Sequence, residues 1–317
     1  MKQIVKHRYI WFLISILVIV PGAIFYLNYG LRTGIDFAGG ALWDLHFTEQ
    51  QISTLNTEEI RTIFAENGFE GAQVQLSSVT VSGTEVASAV VRTKALSGTN
   101  PEQQQRDIIA ALSAKYGEVR RESLQSVGPT VSGEATRSAA IAVLGACVAI
   151  LIYLTIAFRK APNPFRYGVC ALLAMLHDVL VVLGFAAILG VVIGLEVDAY
   201  FLTALLTVIS FSVHDTIVVF DRIRENLIHR KAGEQFEDIV NHSIVQTLPR
   251  SINTQLTSVF TLLALLLFGG ATIQNLVVIL LIGLLSGTYS SIFNAAQLLV
   301  VWENREWNQW FRRTPAA

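Results

Sequence analysis

Charge is scarce in this chain. Only 15% of its 317 residues are Asp, Glu, Lys or Arg, against roughly 25% in soluble domains, while 52% are hydrophobic. That composition excludes an ordinary soluble enzyme and implies that much of the apolar surface is solvated by lipid. A formal net charge of −1 leaves no overall polycation, so nucleic acid is excluded as the main partner. Cysteine is nearly absent as well. Cys147 and Cys170 both fall inside apolar runs, where a thiol acts as a small buried residue and says nothing about redox compartment. Also missing are a Gly-x-x-x-x-Gly-Lys-Ser/Thr phosphate loop, a paired-His zinc motif and a nucleophile elbow. Enzymatic activity, a cofactor and a metal are therefore not expected, and any work must draw on ions or a partner.

What is abundant is long apolar stretches. A helix needs roughly 20 residues to cross a hydrocarbon core of ~30 Å, and six stretches qualify: 9–28, 136–158, 165–194, 198–220, 251–268 and 275–301. The first ends on Phe25, Tyr26 and Leu27 rather than on a small-residue cleavage site, so it reads as a retained anchor. The third is long enough to span with tilt or to bend near Gly184, Gly190 or Gly194.

Basic residues collect at one set of span ends. Lys2, Lys6 and Arg8 lie in the N-terminal segment 1–8, and Arg159, Lys160 and Arg166 follow the second span. Arg222, Arg224, Arg230, Lys231 and Arg250 lie in the connection 221–250, and Arg305, Arg312 and Arg313 in the tail 302–317. The opposite short connections carry Glu196 and Asp198, or no charge from Gly269 to Asn275. By the positive-inside rule both termini are cytoplasmic and the long segment 29–135 is exported; a domain of that length crosses regardless of its own charge. Phe236, Ile239, Val240 and Ile244 give the connection an amphipathic face, suited to the interface, to a partner, or to a plain surface link.

Within the exported segment, extended or helical periodicity alternates: Ala41–Phe47 strand, Thr57–Asn67 helix, Ala72–Val79 and Val86–Thr93 strands about Ser82-Gly83-Thr84, a helix from Pro101 to Gly117, and Glu118–Val127 strand. Strand, helix, strand, strand, helix, strand is the ferredoxin-like order. The expected fold is thus an α-helical polytopic membrane protein of six spans with an inserted α+β ferredoxin-like domain. His46 beside Asp44 on one strand face reads as packing or surface chemistry rather than a metal or catalytic site, and the domain reads as a binding or mechanical module.

Polar groups inside the spans cost roughly 2.5 to 3.5 kcal/mol each when ionisable, and they face a bundle interior, a partner or water. His177 and Asp178 lie in the third span, His214 and Asp215 toward the end of the fourth, and Arg250 opens the fifth. Thr203, Thr207, Ser210 and His214 form one stripe, with Asp215 about 100° around the helix. The first half of the fifth span is polar, and Gly283, Gly287, Ser290, Ser291, Asn294 and Gln297 give the sixth a small, polar face suited to interhelical hydrogen bonds. Asp215 is the strongest proton-relay candidate, with Arg250 as its gate and Asp178 as a further candidate. Burial and a neighbouring guanidinium act oppositely on a carboxylic acid's hold on its proton, so their relative movement switches its charge.

Four strings carry a family resemblance. They are Gly34-Ile35-Asp36-Phe37-Ala38-Gly39-Gly40, Ser126-Val127-Gly128-Pro129, His177-Asp178, and the run Asp215-Thr216-Ile217-Val218-Val219-Phe220-Asp221-Arg222-Ile223-Arg224-Glu225-Asn226. Over residues 9 to 302 the chain resembles the SecD/SecF family of bacterial protein-export membrane proteins, one half of the resistance-nodulation-division transporter plan. The resemblance implies an accessory of the Sec translocase that couples the proton-motive force to late preprotein translocation and release. It implies a bacterial inner-membrane location, a separate SecD chain completing a twelve-helix bundle, and the translocon channel, exported preproteins and membrane lipid as further partners. It places Asp215 and Arg250 at the family's proton-conduction pair. The family's Gly-Tyr-Ser-x-Asn-Asp differs here at Ser210, Phe211 and His214. An imidazole, which titrates near pH ~6.5 unperturbed, either joins the relay at position 214 or replaces a hydrogen-bonding Asn. A proton crossing ~150 to 200 mV releases about 3.5 to 4.6 kcal/mol, enough to bias a two-state movement about a thousandfold. The alternatives are a translocon scaffold without ion conduction, or a small-molecule or lipid exporter of the same superfamily.

Overall fold

Two kinds of periodicity divide the chain, and the computed structural model, which describes residues 3–81, 84–96 and 100–307, resolves them into two compact units. Thr33–Ala139 forms one unit; the chain up to Arg32 together with the chain from Ala140 onward forms the other. The expected turn at Ser82-Gly83 and the basic residues Lys2, Arg312 and Arg313 lie outside the described residues.

In the Thr33–Ala139 unit, a single turn α2 (Ile35–Ala38) leads into β1 (Gly40–Phe47), followed by α3 (Thr57–Glu66), β2 (Gln73–Val81), β3 (Thr84–Thr93), α4 (Pro101–Tyr116) and β4 (Val119–Val127). The strands order as β2-β3-β1-β4, every pairing antiparallel, which is the ferredoxin-like sheet that the apolar spacing predicts. Alternation in β1 puts Ala41, Trp43, Leu45 and Phe47 in the core, where they meet Ile60 and Phe64 of α3 and Ile108 and Leu112 of α4. Trp43 packs edge-on against Phe64 and Phe69, and its indole N–H donates to Thr93 Oγ1 at 3.0 Å, so its one polar atom is satisfied. Asn56 caps α3, and Pro101 opens α4 where its missing N–H costs nothing. Tyr116, at the end of α4, donates to Glu59 at 2.8 Å; burial first, and then that bond, push the phenol up to about 12.

The other unit is helical. After α1 (Arg8–Tyr29) come α5 (Pro129–Ala157), α6 (Pro164–Val192), α7 (Ala199–Ile228), α8 (Phe236–Phe268) and α9 (Ala271–Ser290). A π-turn at Ser291–Ala295 then leads into α10 (Ala296–Glu303), and the stretch from Ile273 to Glu303 serves as one span. Among the described residues, six helices are long and apolar enough to cross a membrane. Helices α6, α7 and the α9–α10 span are about half buried within the chain and form its centre; α1, α5 and α8 are peripheral.

Helix α6 is unbroken through Gly184. Its glycine faces Gly22 of α1, where an added Cβ would stand 2.5 Å from the Gly184 Cα, so the pair lets two backbones touch. Residues 221–250, read as a connection, are in fact the ends of two long helices joined through residues 229–235. The apolar face of early α8 is spent on the chain itself: Ile239, Val240 and Ile244 are buried, and the Asn241 side chain accepts the Ile4 and Val5 N–H groups at 2.8 and 3.3 Å. Arg8 binds Glu306 at 2.6 Å and Glu237 at 3.2 Å, drawing the start of α1, the start of α8 and the residues after α10 together. Burial alone would raise the Glu306 carboxyl, but the bonds from Arg8, Tyr9 and Asn304 outweigh it and hold it below its ordinary range.

Candidate functional site

The motif glycines act through the backbone. Gly39 and Gly40 adopt φ of 73° and 131°, which L side chains avoid, and a Cβ on Gly40 would lie 2.7 Å from the Thr93 carbonyl oxygen. They end the α2 turn and deliver the chain into β1. Gly34 is its N-cap, Ile35 is buried within it, and Asp36 and Phe37 are half-buried. The Gly128 carbonyl accepts the Ser132 N–H at 3.0 Å, so Gly128 and Pro129 open α5. The two strings meet, since Gly39 faces the Ser132 hydroxyl.

The string at the end of α7 stitches helices together. Asp221 and Arg224 pair at 2.7 Å, and Arg222 and Glu225 at 2.6 Å. Arg222 Nε also donates to Gln246 on α8 at 2.7 Å, and Asn226 donates to Ser243 at 2.7 Å and to Gln246 at 3.0 Å. These residues clamp α7 to α8.

Two buried carboxylates lie deeper, in contrasting surroundings. Asp178, 1% exposed, accepts four hydrogen bonds. Oδ1 takes Ser286 Oγ at 2.6 Å and His177 Nδ1 at 3.0 Å; Oδ2 takes Ser212 Oγ and Ser290 Oγ, each at 2.6 Å. A carboxylate offers about four acceptor sites, so this one is filled, by groups from α6, α7 and α9. Beside it, Thr216 donates to Ser291 Oγ at 3.0 Å, and Ser291 donates to the Ser212 carbonyl at 3.1 Å. Asp215, 4% exposed and about 100° around α7 from Thr216, has a single side-chain donor among the described residues, the neutral Gln255 amide of α8 on its Oδ2.

Arg250 is not at this carboxylate. It stands five residues before Gln255, about 140° around α8 and ~7.5 Å along it. It is exposed, without a hydrogen bond or ion pair to another described residue. His214 is exposed too, as are Thr203 and Ser210. With Asn253, Thr254, Thr257 and Thr261 of α8, also exposed, they make a polar face at membrane depth. Gln255, Ser212 and Ser286 are the site residues that sequence reasoning did not single out. For Gln255 the available signal was its place four residues after Ser251 in the polar half of α8.

One span, a ferredoxin-like insert and five further spans around buried carboxylates define a multi-pass membrane protein. Residues 107–305 match the model of the family described as protein export membrane protein SecD/SecF, C-terminal. The chain belongs to the SecD/SecF family. It is 50% identical over 317 residues to "Protein translocase subunit SecF" of Thermobaculum terrenum, covering 99% of this chain and 98% of the relative. It is 36% identical to "Protein translocase subunit SecDF" of Bacillus subtilis, covering 95% of this chain but 38% of that longer one. The crystal structure of SecDF from Thermus thermophilus superposes with a TM-score of 0.78 at 30% identity, again over 95% of this chain and 38% of that one.

Proposed function

We propose that this chain is the SecF-type half of a SecD–SecF assembly in the bacterial inner membrane, where it couples proton entry through Asp215 to late preprotein translocation and release by the Sec translocon. The observation that carries the reading is Asp215: a carboxylate 4% exposed, at membrane depth, held by one neutral amide. A fully saturated acid such as Asp178 must break a bond to take a proton; Asp215 has room for one. Asp178 is then the node that fixes α6, α7 and α9 as a unit around which the relay works.

The exposed polar face of α7 and α8 supports a partner. Thr203, Thr257 and Thr261 satisfy their hydroxyls on carbonyls four residues back in their own helices, but lipid offers no match for Ser210, His214, Arg250, Asn253 and Thr254 on that face, whereas a second bundle supplies one. The relatives named SecDF continue beyond the part that this chain matches, and a separate SecD chain is the corresponding complement. Arg250 and His214 lie on that face, where they act on Asp215 once α8 or the partner moves. With the termini cytoplasmic, the ferredoxin-like unit works on preprotein outside.

Reconstitution with the cognate SecD in proteoliposomes tests the relay. Under an imposed potential, an internal pH dye reports acidification for the wild type and a flat trace for Asp215→Asn. Equal traces would favour a scaffold without ion conduction.

A further inference from the structure

Helices α1, α6 and α9 leave a cavity of about 370 Å³ between them at membrane depth. Its rim is formed by Ile14 and Val18 of α1, Phe185 of α6 and Leu285 of α9, all exposed, and its lining is almost wholly apolar. Sites that hold a small molecule run from about 300 to 1,000 Å³ and have this make-up, an apolar wall with a few placed polar atoms.

The polar atoms of this wall are acceptors. His177 is 9% exposed and turns Nδ1 to Asp178 Oδ1 at 3.0 Å. A carboxylate accepts, so Nδ1 carries the hydrogen of the neutral imidazole and Nε2 keeps a lone pair. Nε2 is buried with no hydrogen-bond partner among the described residues. Three hydroxyls share the wall, and their hydrogens are already spent. Ser286 donates to Asp178 at 2.6 Å, Ser15 to Asn294 Oδ1 at 3.0 Å, and Tyr289 to the Trp11 carbonyl at 2.6 Å.

An apolar cavity with a lipid-facing rim takes an apolar molecule rather than water. Depth decides which kind. His177 stands midway along α6, ~20 Å from either end. A phospholipid keeps its polar atoms at the interface and offers only methylenes here, so it leaves Nε2 unpaired. The occupant that answers both features carries a hydroxyl on an otherwise apolar body.

We propose that this cavity binds a membrane-dissolved quinol, an aromatic diol on an apolar tail, with one phenolic O–H donating to His177 Nε2. Its ring packs beside Phe185 and Tyr289, the latter's ring centroid 6.1 Å from that of His177, where aromatic contacts add to the burial. The tail leaves between Val18 and Leu285 into lipid. An oxidised quinone carries carbonyl acceptors in place of the hydroxyls and meets only lone pairs. Occupancy therefore follows the reduced fraction of the membrane pool, and this chain transfers no electron or proton in binding it.

Equilibrium binding to the assembly with SecD, in nanodiscs of phosphatidylethanolamine and phosphatidylglycerol, tests the site. The probe is tritiated decylubiquinol kept reduced under argon, with decylubiquinone as the comparison. Wild type should take up the quinol saturably, one per chain of this type, and at least tenfold more tightly than the quinone. His177→Phe keeps a ring without the acceptor and should weaken quinol binding at least tenfold. Because that change also removes a donor from Asp178, Val18→Trp serves as the second variant. It fills the mouth from the lipid side, leaves His177 and Asp178 in place, and should weaken binding as much with melting close to the wild type. Non-saturable uptake by the wild type, or quinol binding by Val18→Trp at wild-type affinity, would overturn the proposal. Equal affinity for quinol and quinone would overturn it too and give the cavity to apolar chains alone.

Discussion

At the residue scale the two aspartates separate by what surrounds them. Asp178 collects three serine hydroxyls and an imidazole from four different positions, so Asp178→Ala leaves several buried donors unpaired at once. We expect its melting temperature in detergent to fall well below that of the wild type, by an amount fitting a loss of about 3 to 5 kcal/mol. Asp215→Asn keeps shape and the Gln255 contact, and should melt close to the wild type. Gln255→Leu removes the only side-chain donor to Asp215 among the described residues, and should slow proton flux by roughly tenfold or more while lowering the melting temperature by an amount fitting a loss of about 1 to 3 kcal/mol. If Gln255→Leu conducts as the wild type does, the amide has no part in the relay. Asp215 and Asp178 stood out in the sequence because charge at membrane depth is costly. Their different roles did not, because saturation depends on Ser212, Ser286 and Ser290, single hydroxyls that helix packing alone brings to one carboxylate. The sequence also suggested Arg250 as the neighbour of Asp215; helix phase puts Gln255 there instead.

Helices and strands were the more legible scale. Period-2 alternation in β1 and i, i+4 pairs in α3 and α4 are local signals, and they predicted the ferredoxin-like order that the sheet shows. What local pattern could not show is that α8 runs unbroken from Phe236 to Phe268, because its first turns look amphipathic and its later ones lipid-like. Nor could it show the contact of α1 with α6. Gly184→Leu places a side chain where the Gly22 backbone lies, 2.9 Å from the first added carbon, and should detach α1 and lower the yield of folded protein in detergent extracts. Recovery equal to the wild type would mean the helices do not meet there. In the ferredoxin-like unit, Tyr116 offers a pH test. Its fold-state value of about 12 lies above the ordinary ~10, so the neutral phenol is favoured in the fold. The stability it contributes is fully present below pH ~10 and is lost as pH rises toward 12. An ultraviolet difference titration of wild type against Tyr116→Phe should place this tyrosine near 12; a value near 10 would show that the phenol is neither buried nor bonded to Glu59.

Over the whole molecule, one side of the helical unit carries polar residues among its apolar ones. Its exposed apolar residues suit lipid, but Thr203, Ser210 and His214 of α7 and Asn253, Thr254, Thr257 and Thr261 of α8 do not. Replacing Thr254 and Thr257 together by Leu should leave the chain in the membrane while cutting recovery of SecD by affinity purification several-fold; full recovery would place the partner elsewhere. The central claim is that Asp215 carries ion coupling, and preprotein release from energised inverted vesicles tests it most directly. Wild type and Asp215→Asn are compared at equal abundance, with and without an uncoupler. The account predicts that the uncoupler-sensitive part of release is present in the wild type and absent in the mutant. Release by the mutant at the wild-type rate, with the same response to uncoupler, would contradict it.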